Sequence, residues 1–103
     1  LEKEAEHIER HLQPGDFKVV LDERGKLFST LEFTRFFSDL ELEEKTVTFI
    51  IGSAHGLAPK VKKMANLLFS LSPFTMSHQI ARLVLLEQVY RIFTLMRGIP
   101  YHK

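Results

Sequence analysis

FSLSPFTMSHQIARLVLLEQVYRIFTLMRGIPYHK, residues 69–103, is the stretch whose reading decides the fold. It starts within an apolar, strand-like piece, 67–71, and enters a loop marked by Pro73. That loop opens a long helix, 78–97, with apolar residues on nearly every side. Such a helix has to be buried over most of its circumference. It nevertheless carries His78 and Arg82 one turn apart, and Glu87 and Arg91 one turn apart. This pattern suits a helix held between a core, a partner subunit and a site. Gly98 stops the helix, and the polar tail Tyr101-His102-Lys103 comes after it.

The residues before it alternate between the two periodicities. Leu1, Ala5, Ile8 and Leu12 recur at helical spacing among acids, predicting an amphipathic helix over 2–12 that Pro14-Gly15 ends. FKVVLD, 17–22, reads as a strand and Asp22–Lys26 as a turn. Ser29-x-x-Glu32 is a capping box that opens a helix with Leu31, Phe33, Phe36, Phe37 and Leu40 on its apolar face. After a charged connection, 41–45, TVTFIIG at 46–52 has the composition of a strand buried on both faces. The loop 53–58 leads to Pro59, which suits the first turn of a helix. That helix is expected to reach about Leu68 and to show Lys60, Lys62 and Lys63 to solvent. The alternation predicts a single α/β domain over 1–103, a parallel sheet with helices on both faces. Ligands of such sheets sit beyond the C-terminal strand ends. The loops 22–27, 52–58 and 72–77 leave those ends and should form one concave site.

With 103 residues, one domain is the natural count. The absence of Cys excludes disulfides and thiolate metal sites and fits a reducing compartment without establishing one; a cytoplasmic location is the expectation. Arg82, Glu87 and Arg91 interrupt the best apolar run, so no membrane span is expected. No signal peptide is visible, and the first residue is Leu, as in a fragment of a longer product. Charge is divided unevenly. Residues 1–58 hold seven Lys or Arg and twelve Asp or Glu, whereas residues 59–103 hold seven Lys or Arg and one acid, Glu87. A one-sided basic half suits an anionic partner, most often nucleic acid, with Lys60, Lys62, Lys63, Arg82, Arg97 and Lys103 as contributors. It equally suits a dimer whose acidic and basic halves meet.

Each candidate group has a plain reading beside the chemical one. Gly52 and Gly56 flank Ser53-Ala54-His55 after a strand, as in a tight turn or in a backbone that a ligand approaches closely. The loop is neither a Walker motif nor a dinucleotide fingerprint. His7 and His11 have the spacing of metal ligands but lack a third, so solvent-facing histidines are the expectation and no metal is assigned. His55 is either functional or merely exposed. His78 places a cation where the helix dipole disfavours one, unless Ser77 is the true cap. Arg82 requires a carboxylate or a bound anion. Glu87 and Arg91 suit a plain intrahelical ion pair. The tail, by itself, would be disordered.

Three segments carry a resemblance to a known family: FIIGSAHGL at 49–57, LFSLSPFTMSHQIARLVLLEQVYRIFTLMRG at 68–98, and the terminal YHK. They resemble the RlmH family, SPOUT-class enzymes that use S-adenosylmethionine to methylate N3 of a pseudouridine in bacterial large-subunit (23S) ribosomal RNA. LDERGK at 21–26 resembles the family's strand and turn ahead of the capped helix. The family's opening strand, helix and strand have no counterpart here. The resemblance implies a C-terminal trefoil knot, which general topology rules would never suggest, and a homodimer built largely on the last helix. It implies cofactor binding by Leu21, Gly52 and the run Leu71-Ser72-Pro73-Phe74-Thr75-Met76. It places His78, Arg82 and the tail, with Tyr101, His102 and Lys103, at or near the reaction centre. Two residues depart from the family pattern: Ser53 replaces a glycine and Ser77 replaces a proline.

The implied chemistry needs the imide proton of N3 removed, or the resulting anion stabilised. His102 suits either task and Arg82 suits positioning of RNA; His78 is an alternative base. A different class of function, a non-catalytic RNA-binding or ribosome-associated homodimeric module, would use the same basic half. A purely structural homodimer domain is a third reading.

Overall fold

A computed structural model of the chain describes residues 15–51 and 59–102. The helix expected at 2–12 with His7 and His11, the glycine loop 52–58 and Lys103 lie outside the described residues. The elements are β1 (Phe17–Leu27), α1 (Thr30–Leu42), β2 (Val47–Ile50), α2 (Pro59–Met64), β3 (Leu67–Ser70) and α3 (His78–Arg97). The three strands form a parallel sheet in the order β2-β1-β3.

Two adjacent valines in β1 place the core. Successive side chains of a strand point to opposite faces, and Val19 and Val20 are both fully buried. Val19 packs with Phe33, Phe69, Leu85 and Ile92, under α1 and α3. Val20 packs with Ile50 and Val61, under α2. The expected helices on both faces are therefore present. Seven of the nine phenylalanines pack in one array beneath α1 and α3, the closest pair being Phe33 and Phe69 with ring centroids 4.3 Å apart. Each buried ring stabilises by roughly 1.5–3 kcal/mol. The two outside the array, Phe74 and Phe93, are exposed.

Local signals explain the helix starts. The Ser29 hydroxyl accepts from the Glu32 N–H at 3.1 Å, and the Glu32 carboxylate accepts from the Ser29 N–H at 2.8 Å. Ser77 caps α3 by accepting from the Ile80 N–H at 3.3 Å. Helices α1 and α3 run side by side in one direction: Thr30 donates to Gln88 at 2.7 Å, and Arg97 meets Glu41 at 3.3 Å.

Four features differ from expectation. The turn expected at 22–26 is absorbed into β1. Leu21 and Lys26 both pair opposite Phe69, so residues 22–25 bulge out and the strand then resumes. Gly25 permits this, because a Cβ there would lie 2.6 Å from the Leu68 carbonyl carbon. Helix α2 stops at Met64, short of Leu68, because Asn66 is captured by β1. Its amide N–H donates to the Lys18 carbonyl at 2.9 Å, and its side-chain oxygen accepts from the Lys18 N–H at 2.7 Å. Strand β2 is shorter than 46–52 and lies at an edge of the described sheet, so only Ile50 in it is buried. The fourth difference concerns α3, which is not buried around most of its circumference. Leu85, Ile92 and Thr94 are buried, with Val89 and Met96 packed against the same core, while Ile80, Leu83, Leu86, Tyr90 and Phe93 are exposed. Among the described residues, no helix is long and apolar enough to cross a membrane, and no group of three or more His, Asp or Glu could hold a metal ion.

Candidate functional site

Two of the three strand-end loops lie among the described residues, and they converge. The bulge after Leu21 is held from both sides. Asp22 pairs with Lys62 of α2 at 2.9 Å and also accepts from the Arg24 N–H at 3.0 Å. Glu23 accepts from the Thr75 hydroxyl at 2.8 Å, so the bulge is tied to the 72–77 loop. The Arg24 N–H and then Lys62 hold the Asp22 carboxyl below its ordinary pKa, against the effect of burial. Within 72–77, the Ser72 carbonyl accepts from the buried Ser70 hydroxyl at 2.9 Å, and the Ser72 hydroxyl accepts from the Phe74 N–H at 3.0 Å.

The cofactor candidates fall on this platform. Leu21 and Leu71 are half-buried and lean on the aromatic core. Ser72 and Met76 are half-buried, Pro73 and Thr75 are exposed, and Phe74 is 81 % exposed. Gly52 lies outside the described residues. Apolar walls, backbone groups and one open aromatic ring suit a flat ring system with a short apolar arm. His78 opens α3 directly after the loop, and Arg82 stands one turn on. His78 is exposed and Arg82 largely so, and neither has a polar partner among the described residues. The demand Arg82 makes for a partner is thus met by solvent in the single chain.

The tail is elsewhere. A 20-residue helix is about 30 Å long, and Tyr101 and His102 sit towards its C-terminal half. Gly98 takes a left-handed conformation with φ of 69°, and the Ile99 N–H returns to the Thr94 carbonyl at 2.9 Å. The chain therefore doubles back along α3. Tyr101 donates to Glu87 at 3.0 Å and packs edge-on against Tyr90. Arg91 pairs with Glu87 at 2.9 Å, lies over the Tyr101 ring and reaches His102 Nδ1 at 3.1 Å. At Tyr101 and His102 the disorder expected of the isolated tail is replaced by docking, and the Glu87–Arg91 pair is more than a plain ion pair. The hydrogen bond to Glu87 raises the Tyr101 pKa, whereas Arg91 holds the Glu87 carboxyl below its ordinary range. Glu87 and Arg91 are functional candidates that helical spacing alone did not reveal. The signal was Gly98, because a left-handed helix cap turns the next residues back over the last turns.

The basic residues divide. Lys62 and Arg97 face Asp22 and Glu41 of this chain. Lys60 and Lys63 lie on α2, and Arg82 on α3. His78 and Arg82 on one side, and His102 and Tyr101 on the other, are not brought together within one chain. Arg82 and Arg91 alone are about 13 Å apart along the helix axis.

Comparison with known proteins gives the arrangement a family. The family described as "Predicted SPOUT methyltransferase" matches residues 1–102. Among curated proteins, the ribosomal RNA large subunit methyltransferase H of Desulforamulus reducens is 47% identical over 103 residues, covering 99% of this chain and 64% of that protein. The protein of the same name from Caldicellulosiruptor saccharolyticus is 43% identical over 103 residues, covering 100% and 67%. That of Thermotoga neapolitana is 38% identical over 102 residues, covering 99% and 68%. The chain thus spans about two thirds of the length of the curated relatives it matches. A parallel sheet with its loops gathered at the strand ends, and a match running almost from end to end, lead to one conclusion: the chain belongs to the SPOUT methyltransferase family, in its RlmH group.

Proposed function

We propose that the chain is the cofactor- and RNA-binding part of a methyltransferase that modifies N3 of a pseudouridine in large-subunit ribosomal RNA, with S-adenosylmethionine as methyl donor. The observation that carries this is the match of nearly the whole chain to relatives named as large-subunit ribosomal RNA methyltransferases. In this reading Leu21, Gly52 and residues 71–76 hold the cofactor, which supplies a methyl group already activated on a sulfonium. The protein's work is then positioning and proton management. Arg82, Lys60 and Lys63 hold the RNA backbone. His102, or His78, takes the N3 proton or stabilises the imide anion.

The reading requires two copies. His78 and Arg82 stand beside the cofactor loops, whereas Tyr101 and His102 lie towards the other end of α3. A homodimer joined through the exposed face of α3 would let the tail of one copy meet the cofactor loops of the other. The trefoil-knotted threading of the last helix and a cytoplasmic location belong to the same proposal.

Titration calorimetry with S-adenosylmethionine and transfer of a labelled methyl group to ribosomes test it together. Gly52→Val should weaken cofactor binding about tenfold or more by placing a branched side chain against the ligand. Undiminished binding by that variant would remove the 52–56 loop from the site. Binding of the cofactor with no transfer to ribosomes or their RNA would favour the non-catalytic module.

A further inference from the structure

We infer that Arg91 is a positioning residue that fixes His102 in its Nε2–H tautomer, so that the tail offers the RNA base a hydrogen-bond donor rather than a proton acceptor. The tautomer part rests on the geometry alone. The part concerning the base rests on the function proposed above.

The guanidinium of Arg91 is gripped along one edge. Its Nε and Nη2 both donate to the Glu87 carboxylate, at 3.3 and 2.9 Å. Glu87 is itself fixed by Tyr101 at 3.0 Å and by Gln88 at 3.0 Å. A planar guanidinium held in this way has its remaining nitrogen aimed in one direction. That nitrogen, Nη1, lies 3.1 Å from His102 Nδ1. A guanidinium has only N–H donors and no acceptor. The contact is therefore a hydrogen bond only when Nδ1 carries a lone pair. In a neutral imidazole one ring nitrogen accepts and the other donates, so the proton sits on Nε2. Nε2 has no partner among the described residues, and His102 is half-buried rather than packed away.

A hydrolase triad works the opposite way. There a carboxylate accepts from Nδ1–H, which leaves Nε2 with the lone pair and makes it a base. Here a cation donates to Nδ1, which leaves Nε2 with the proton. His102 held in this way cannot take the N3 proton through its free nitrogen. It can donate to a carbonyl oxygen beside N3, where negative charge collects as the proton leaves to solvent. A fixed donor aimed at developing charge is an effective catalytic device.

Two measurements on the full chain decide between donor and base. Long-range proton–nitrogen correlation spectra of histidine-labelled protein, with His102→Ala used for assignment, report the tautomer in the native chain. The expected result is a protonated Nε2 and an unprotonated Nδ1, with the preference lost in Arg91→Met and largely kept in Arg91→Lys, whose ammonium reaches nearly as far and can only donate. A native His102 protonated on Nδ1 overturns the inference whether or not the variants fold. Methyl transfer to ribosomes reads the role. His102→Gln, whose amide N–H lies near the place of Nε2–H, should keep about a tenth or more of native turnover, while His102→Ala loses about 100-fold. Equal loss in both variants, with the spectra as expected, overturns the donor role. If the native chain transfers no methyl group, the proposed function fails and the spectra alone decide the tautomer.

Discussion

At the scale of single residues, Asp22 does the most with the fewest atoms. One oxygen closes a short turn with the Arg24 N–H, and the other grips Lys62 across to α2. Because its carboxyl is held below the ordinary value of 3.8, folding favours the ionised form. Stability from this group is complete above the unfolded pKa and is lost as pH falls through the folded one. Asp22→Asn should cost about 1–2 kcal/mol at pH 7, and the gap to the parent should shrink as pH falls below 3.8. Urea denaturation on both sides of that value measures it, and a gap that does not change with pH would show that charge is not the cause. The residues of the site were legible to different degrees. The convergence of loops 22–27 and 72–77 could be read from strand alternation, and the contact of Thr75 with Glu23 joins them. The network around Arg91 was not legible, because Tyr101 meets Glu87 only after the chain reverses at Gly98. Helical spacing describes neighbours on the helix and says nothing of a tail that returns to it.

At the scale of elements, α3 carries two apolar stripes with different fates. Leu85, Val89, Ile92 and Met96 face the aromatic core of their own chain. Ile80, Leu83, Leu86, Tyr90 and Phe93 face outward. A contiguous exposed stripe of this size marks an interaction surface, and a second copy is the occupant proposed for it. Replacing both Leu83 and Leu86 by Lys should give a monomer by light scattering at micromolar concentration, with little loss of thermal stability. Leu85→Ala, on the core side, should instead cost about 2–5 kcal/mol. A parent chain that is already monomeric would sink the dimer. Helix and strand types were readable throughout the described residues, since caps and hydrophobic period act locally. Boundaries set by tertiary contacts were not. Asp22–Lys26 has the composition of a turn, yet Lys26 and Leu27 pair with Phe69 and Ser70. Leu67 and Leu68 suit the end of a helix as well as a strand, and Asn66 settles the choice by bonding to Lys18 from 48 residues away.

At the scale of the whole molecule, the uneven charge is partly consumed within the chain. Lys62 and Arg97 have carboxylate partners, while Lys63 and Arg82 have none among the described residues. If RNA is the partner, Lys63→Ala and Arg82→Ala should each reduce the slope of log affinity against log salt by about 0.7–0.9. Arg97→Ala should leave that slope nearly unchanged. Filter binding to ribosomal RNA between about 50 and 200 mM salt reads the slopes, and equal slopes for all four proteins would assign the charge to subunit contacts instead. The strand order carries a further consequence, one of timing. In the order β2-β1-β3, the first of the described strands stands in the middle. Both of its edges wait for partners that emerge later, one of them through Asn66, and the helix layer closes through Thr30 and Gln88, 58 residues apart. Loops of that length must shut before any contact rewards them, which slows folding towards milliseconds or longer. Meanwhile FKVVL, apolar but for Lys18, is a strand with two open edges, the kind of segment through which nascent chains aggregate. The acids next to it, Asp22 and Glu23, are gatekeepers during that interval: the charges that later strap the loops together first keep one unfinished chain from another.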